Sequence, residues 1–271
     1  MISFFVILIL FGASIGSFIN VVSISLPRGE SFFLRRSHCR DCNQTIKWYD
    51  NIPVLSWFLL NGRCRQCKST FSIRYPIVEF SCVIIWLLSY SSSPTNYELG
   101  SVVFITFAGG ILGSILLLLS LIDLEHMILP SKICLLGLAL GLTSNLIYSF
   151  LYAKESLYLL FLEHFCASFF ALILFELTNK VGTFFLKKNA LGRGDAKLAA
   201  MGGAWLGVPG ISIAVALSFW MAAIYGIYGR LKGFLKPLDS YAFGPFLAFG
   251  IFLVWFFGSD LLWEIWINII D

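Results

Sequence analysis

Gly192-Arg193-Gly194-Asp195, within LGRGDAKL at 191–198, and Asp123, within LIDLEHMILP at 121–130, are the stretches on which the reading of this chain turns. Each aspartate stands at the edge of an apolar run, in a chain whose hydrophobic segments mostly avoid acids. An ionisable side chain at membrane depth costs roughly a few kcal/mol or more, so it usually faces a wet cavity and carries function. Two such carboxylates, far apart in sequence, require a fold that brings them to one depth, close enough to share a proton.

The surroundings make that depth a membrane's. Of 271 residues, 58% are hydrophobic and only 13% charged, and mean hydropathy is +0.85; a soluble globular chain carries about a quarter charged residues. Apolar runs lie at 2–24, 77–93, 101–122, 130–152, 157–178, 196–206, 210–230 and 244–267. No globular interior needs so many. Lipid-exposed backbone must satisfy its own hydrogen bonds, so the fold class is an all-α polytopic membrane protein with about eight transmembrane helices. The run at 196–206 stops at the breaker Gly207-Val208-Pro209-Gly210. The first run has no Lys or Arg before it and a strongly basic segment after it, which reads as a retained first helix rather than a cleaved signal. Three parts follow: a first helix at 1–27, a cytoplasmic loop domain at 28–76, and a membrane core at 77–271 with helices 2 to 8. Cys82, Cys134 and Cys166 stand alone in apolar runs and read as buried thiols acting as small hydrophobes.

Charge tests the threading. With the 28–76 loop in the cytoplasm, the inner segments hold Arg28, Arg35, Arg36, Arg40, Lys47, Arg63, Arg65, Lys68, Arg74 and Lys132. They also hold Lys180, Lys187, Lys188, Arg193, Lys197, Arg230, Lys232 and Lys236, which leaves only Lys154 of the 19 basic residues outside. Both termini are then expected outside. The same threading puts Asp123 at the inner end of the third helix and Asp195 at the inner start of the sixth, at one depth.

Two neighbouring carboxylates cannot both ionise easily, so the pair holds one proton. The ionised member activates water while the other protonates the carbonyl oxygen or the leaving amine. Gly192 and Gly194 let another chain approach closely, which suits an extended scissile peptide. Taken alone, each acid has a plainer account: Asp195 as a helix N-cap, Asp123 as part of a solvated loop with Glu125 and His126. Lys197 reads as a snorkelling flank residue that can also tune Asp195.

Cys39-x-x-Cys42 and Cys64-x-x-Cys67 are separated by 21 residues. Paired CxxC knuckles at this spacing fit tetrahedral thiolate coordination of Zn2+, in a compartment where disulfides are disfavoured. Thioredoxin-like chemistry needs a βαβ setting that so short a loop can hardly supply. The metal would staple a domain too small for an adequate core, with His38 a solvated bystander. The basic charge of the loop is explained by solvation and anionic headgroups, and nucleic acid is not an expected partner. Among the other polar residues in apolar runs, Asn20 and Glu79 sit near the inner face and are candidates to line the aspartates' cavity. Glu163 and His164 lie toward the outer side; for these and Glu176 interhelical hydrogen bonding is the ordinary account.

These motifs, in this order, resemble the bacterial type IV prepilin peptidases, also called leader peptidase/N-methyltransferases. The resemblance runs through GSFINVV at 16–22, Leu26-Pro27, WYDNIPVLSWFLLNGRCRQC at 48–67, RYPIVE at 74–79, LIDLEHMILP at 121–130, GRGDAKL at 192–198 and FGPFLA at 243–248. It implies a GxGD-type aspartic endopeptidase of the bacterial inner membrane, with Asp123 and Asp195 catalytic and Cys39, Cys42, Cys64 and Cys67 as the zinc-loop cysteines. The implied substrates are prepilins and pseudopilins of type IV pilus, type II secretion or competence machinery. They are cut on the cytoplasmic side after a short basic leader, and many members then methylate the new N-terminus from S-adenosylmethionine. Methylation rests on the resemblance alone. Many members carry Arg before the Leu-Pro of the first loop, where this chain has Ser25.

Two other classes are open to the residues. A presenilin-like intramembrane protease would carry Tyr-Asp in its first motif, where this chain has Leu-Ile-Asp-Leu, and would lack the cysteine loop. A non-enzymatic transporter or scaffold would use the acids as ion or structural sites.

Overall fold

The computed structural model describes residues 2–30, 37–39, 41–92, 98–153, 157–186, 192–236, 241–262 and 264. The basic residues Arg35, Arg36, Arg40, Lys154, Lys187 and Lys188 lie outside them. The elements are α1 (Ile2–Ser25), α2 (Leu55–Leu59), α3 (Arg74–Ser91), α4 (Leu99–His126), α5 (Ser131–Tyr148), α6 (Leu157–Leu186), α7 (Arg193–Leu231) and α8 (Gly244–Phe257). A 3₁₀ turn, Trp48–Asn51, precedes α2, and a π turn, Ser149–Ala153, extends α5. Among the described residues there is no strand, only isolated bridges between His38 and Thr45 and between Arg63 and Thr70. Five helices are long and apolar enough to cross a membrane: α1, α4, α5 with its extension, α6 and α7. This is a multi-pass membrane protein.

Lipid tails give helices no hydrophobic reason to associate, so close packing depends on small residues. On α4, Gly110 leaves room for the Trp86 ring of α3, while Gly109 and Gly113 admit Trp255 and Phe252 of α8. Helix α4 is thereby shared by two packing groups. One joins it to α1 and α3, where Gly16 faces the Glu79 backbone and Trp86 donates to Ser114 Oγ at 3.2 Å. The other joins it to α5, α6, α7 and α8 around Leu112, Leu119, Met201, Ile211, Leu247 and Ile251.

Straight, the 39 residues of α7 would span about 58 Å, nearly twice a bilayer's hydrocarbon core. They do not run straight. Gly203 faces Ala167 of α6 and Gly207 faces Glu163, so the first arm, 193–206, is antiparallel to α6. Continued onward, residue 219 would lie about 18 Å past Gly207, away from Phe175. Instead the Phe175 and Phe219 rings stack 6.1 Å apart, and Gly202 faces Ile211. The helix folds back at the expected breaker. Gly207 sits at φ 69°, ψ −178°, a conformation only glycine adopts cheaply, and Pro209 removes an amide from the ladder.

Two expectations are corrected. The last apolar run was expected to stay helical without a break over 244–267, but α8 closes at Phe257 because Gly258 turns to φ 81°; residues 259–262 and 264 are helical again beyond that turn, and 263 and 265–267 lie outside the described set. Cys166 is exposed on α6, whereas Cys82 and Cys134 are buried as expected. Among the described residues no neighbouring helix covers that face of α6.

Candidate active site

Helix α4 carries Asp123 in its last turns and stops three residues later, where Met127 takes φ 51° and its N–H caps the Asp123 carbonyl at 2.8 Å. The connection to α5 is only Met127 to Pro130, so the chain reverses beside the aspartate. Helix α7 begins at Arg193, capped by Gly192, whose carbonyl accepts the Asp195 N–H at 3.1 Å. Asp195 is therefore not the N-cap that its position suggested; it is the third residue in. Its Oδ2 reaches back to accept the Gly192 N–H at 3.0 Å, closing the first turn as a capping acid does.

The two acids lie at the same end of the bundle. Both are 6% exposed, and they are near enough for their charges to interact. Neighbouring contacts fix this proximity. A Cβ on Gly194 would fall 2.7 Å from Leu129, which follows α4, and Lys197 Nζ donates to Ser131 Oγ at 2.5 Å. Lys197 thus ties the start of α7 to the start of α5 rather than lying free along the bilayer.

Gly244 is a residue that sequence reasoning did not single out. Its N–H donates to Asp123 Oδ2 at 2.9 Å, and an added Cβ would stand 2.6 Å from that oxygen. The pairing uses an orphan amide at the start of α8, where the helix dipole favours negative charge. The signal lay in FGPFLA: a Gly-Pro pair at a helix start leaves a bare amide on offer. Gly244→Ala is expected to push Asp123 off its position and slow any acid–base chemistry there about 10²-fold. Turnover of the variant, compared at equal helix content by circular dichroism, checks it. Among the described residues neither Oδ1 has a partner, so each carboxylate keeps one oxygen for other chemistry.

Asn20 and Glu79 are used elsewhere. Asn20 donates to the Tyr75 carbonyl at 3.0 Å, and Glu79 Oε2 accepts the Val54 N–H at 2.6 Å. They join α1, α3 and the loop rather than lining the aspartates. Arg74 does approach that end: it pairs with Glu125 at 2.5 Å and donates to Ser23 Oγ at 2.9 Å. Glu163 and His164 stay at the far end, with His164 Nδ1 3.1 Å from both Asn145 Nδ2 and the Ala204 carbonyl.

Cys39, Cys42, Cys64 and Cys67 form one cluster, their sulfurs all within 4.8 Å of one another. The two knuckles share a geometry. The Cys39 and Cys64 amides donate to Gln44 and Ser69 carbonyls at 2.9 and 2.8 Å. Asn43 and Lys68 follow each CxxC at φ 56° and 60°. The 3.7 Å between Cys39 Sγ and Cys67 Sγ matches the tetrahedral edge of about 3.8 Å implied by a Zn–S bond near 2.3 Å. The Cys42 amide and the Ser69 hydroxyl draw the Cys39 thiol down to about 6. For Cys42 the Gln44 amide works the same way, but burial and the three neighbouring sulfurs outweigh it and push the thiol up to about 11. Four such sulfurs ionise together only around a cation, so the donor set fits Zn2+. His38 is not in the cluster; it bridges to Thr45.

Comparison with known proteins agrees with this geometry. A family profile described as "Bacterial Peptidase A24 N-terminal domain" matches residues 10–92, and one described as "Type IV leader peptidase family" matches residues 110–227. A prepilin leader peptidase/N-methyltransferase of Legionella pneumophila is 35% identical over 93% of this chain and 91% of its own length. One from Stutzerimonas stutzeri is 29% identical over 92% and 89%. A longer relative from Myxococcus xanthus is 33% identical over 75% of this chain, and the chain spans only 56% of that protein's length. No solved structure gives a significant match. By its two matched segments and its near-full-length relatives, the chain belongs to the type IV leader peptidase family.

Proposed function

We propose that this chain is a membrane aspartic endopeptidase that removes the basic leader from type IV prepilins and pseudopilins. The observation that carries the reading is the placement of Asp123 and Asp195: two buried acids from separate helices, at one end of the bundle, each with one oxygen held by a backbone N–H. The ionised member of the pair takes a proton from water, and the hydroxide attacks the scissile carbonyl. The protonated member gives its proton to the carbonyl oxygen, and the amine leaves with a proton returned through the pair. The substrate helix stays in lipid while its leader lies extended across Gly192 to Gly194.

We place this end of the bundle at the cytoplasmic face of the bacterial inner membrane, on the charge threading of the sequence. With α3, α8 and both arms of α7 counted, the chain crosses eight times and both termini lie outside. The 28–76 loop is a zinc-stapled domain on the peptidase core of 77–271. The zinc is structural: its four sulfurs leave no open position for substrate.

Methylation of the new N-terminus is part of the proposal, supported by the relatives' shared description as N-methyltransferases. S-adenosylmethionine, when bound, supplies an electrophilic methyl group to that amine. Cavities of about 640 Å³ beside Pro209 and Asp260 and about 270 Å³ beside Ser144 and Trp205 lie at the far end from Asp123. Their linings do not suit a donor for an inner-face amine, and no residue is assigned to it.

The test is direct. The purified protein, incubated with a model prepilin, is expected to release the leader, and mass analysis of the mature product should show a gain of about 14 Da, one methyl group replacing a proton on the amine, only with S-adenosylmethionine. Intact prepilin after prolonged incubation in both detergent and vesicles would remove the reading.

A further inference from the structure

The segment 48–59 exposes a ridge of large apolar side chains that the peptidase reading leaves unused. Trp48 is 81% exposed, Leu55 59%, Phe58 62% and Leu59 79%. The inner side of α2 is committed to the loop. Ser56 Oγ accepts the Ile52 N–H at 2.9 Å and donates to the Tyr49 carbonyl at 3.1 Å. Trp57 Nε1 donates to the Phe71 carbonyl at 3.3 Å, and its ring covers Gly62. Leu55, Phe58 and Leu59, spaced i, i+3 and i+4, form the opposite face.

The depth of α2 identifies what meets that face. Val54, immediately before α2, is fastened to Glu79 by the 2.6 Å hydrogen bond. Glu79 lies in the second turn of α3, and its Cα is 2.6 Å from where a Gly16 Cβ would stand. Helix α1 runs nine residues beyond Gly16 to Ser25, about 13 Å at 1.5 Å per residue. A glutamate side chain leans back toward its helix start, yet Val54 still lies inside the end of α1. At that level an outward face meets lipid, not water. Within a few residues of Gly16 and Glu79, Phe18 and Val21 of α1 and Ile77 and Phe80 of α3 are large, apolar and exposed, as side chains turned to lipid are.

Charge agrees. Over 41–70 the cations Lys47, Arg63, Arg65 and Lys68 outnumber Asp41 and Asp50, and Arg65 is spent on Asp50 at 2.7 Å. An aromatic and aliphatic ridge flanked by cations has the composition of an interfacial anchor, with apolar groups at the acyl boundary and charges among anionic headgroups. We infer that Trp48, Leu55, Phe58 and Leu59 form a foot inserted into the headgroup–acyl boundary of the bilayer, holding the cysteine knuckle flat against the membrane beside α1 and α3. The inference rests on the multi-pass fold and not on the peptidase chemistry.

Photo-crosslinking of the full chain in phosphatidylcholine–phosphatidylglycerol vesicles tests it. Benzoylphenylalanine is placed at position 59, at 80 as a lipid-facing control on α3, or at 66 as a water-facing control on the knuckle. Position 59 is expected to form phospholipid adducts about as often as 80 and about tenfold more often than 66. Adducts at 59 no more frequent than at 66 would overturn the foot, as would a crosslink from 59 to a second copy at twice the chain mass. Absence of lipid at both 59 and 80 would remove the membrane placement as well, which separates the two failures.

Discussion

Asp123→Asn or Asp195→Asn is expected to lower the rate of leader removal by about 10⁴-fold, near the upper end of what one positioned acid–base group contributes. The variants are informative because asparagine preserves shape and an acceptor oxygen. In Asp123→Asn the new amide oxygen can still receive the Gly244 N–H, and in Asp195→Asn it can still receive the Gly192 N–H, so the local fold should persist. What disappears is the shared proton. An asparagine beside one aspartate cannot alternate between donor and base, so the double variant should be no slower than either single one, as expected of groups that act as a unit. Initial rates on a model prepilin measure this. Cleavage that survives in both single variants would exclude the pair as the catalytic centre.

Loss of the thiolate cluster should have a comparably large effect on a different property. Among the described residues from 37 to 73, the only buried apolar side chains are Cys39 and Cys64. A segment with that little core cannot hold itself together, whereas a structural Zn2+ contributes about 10–16 kcal/mol of apparent binding free energy to folding. Cys39→Ser or Cys64→Ser is therefore expected to reduce bound zinc from one per chain to none and to open the loop to trypsin at Arg63 and Arg65. Elemental analysis and limited proteolysis report the two effects. Zinc content unchanged in both variants would disprove the tetrathiolate site. Chelation should reproduce the proteolytic pattern while leaving the membrane helices intact, because the only described helices wholly within the loop are the short α2 and the 3₁₀ turn before it.

The helices were legible because a bilayer imposes length and hydropathy on any chain that crosses it, and the breaker at Gly207 to Gly210 was legible because glycine and proline disrupt a helix locally. The cysteine cluster was equally legible, since metal geometry constrains sequence spacing within each knuckle. Cys166 was misplaced for a related reason: hydropathy does not distinguish a face turned to lipid from a face turned to protein. The return of α7 beyond Gly207 was legible as well: a break says only that a helix stops, but the charge threading kept Arg193 and Arg230 on one side of the membrane, and the stacking of Phe175 with Phe219 agrees.

By itself the sequence determined the class of molecule, the approximate limits of its helices, the grouping of four cysteines, and the two acids worth placing together. All of these follow from local periodicity, spacing and the cost of charge in an apolar run. Only the tertiary structure decided that Gly244 presents its amide to Asp123, that Lys197 fastens α7 to α5, and that Glu79 draws the loop down against α1 and α3. Those contacts join residues tens to more than a hundred positions apart. They depend on which small residues let which helices approach, a property of the packed bundle that hydropathy along one chain does not encode.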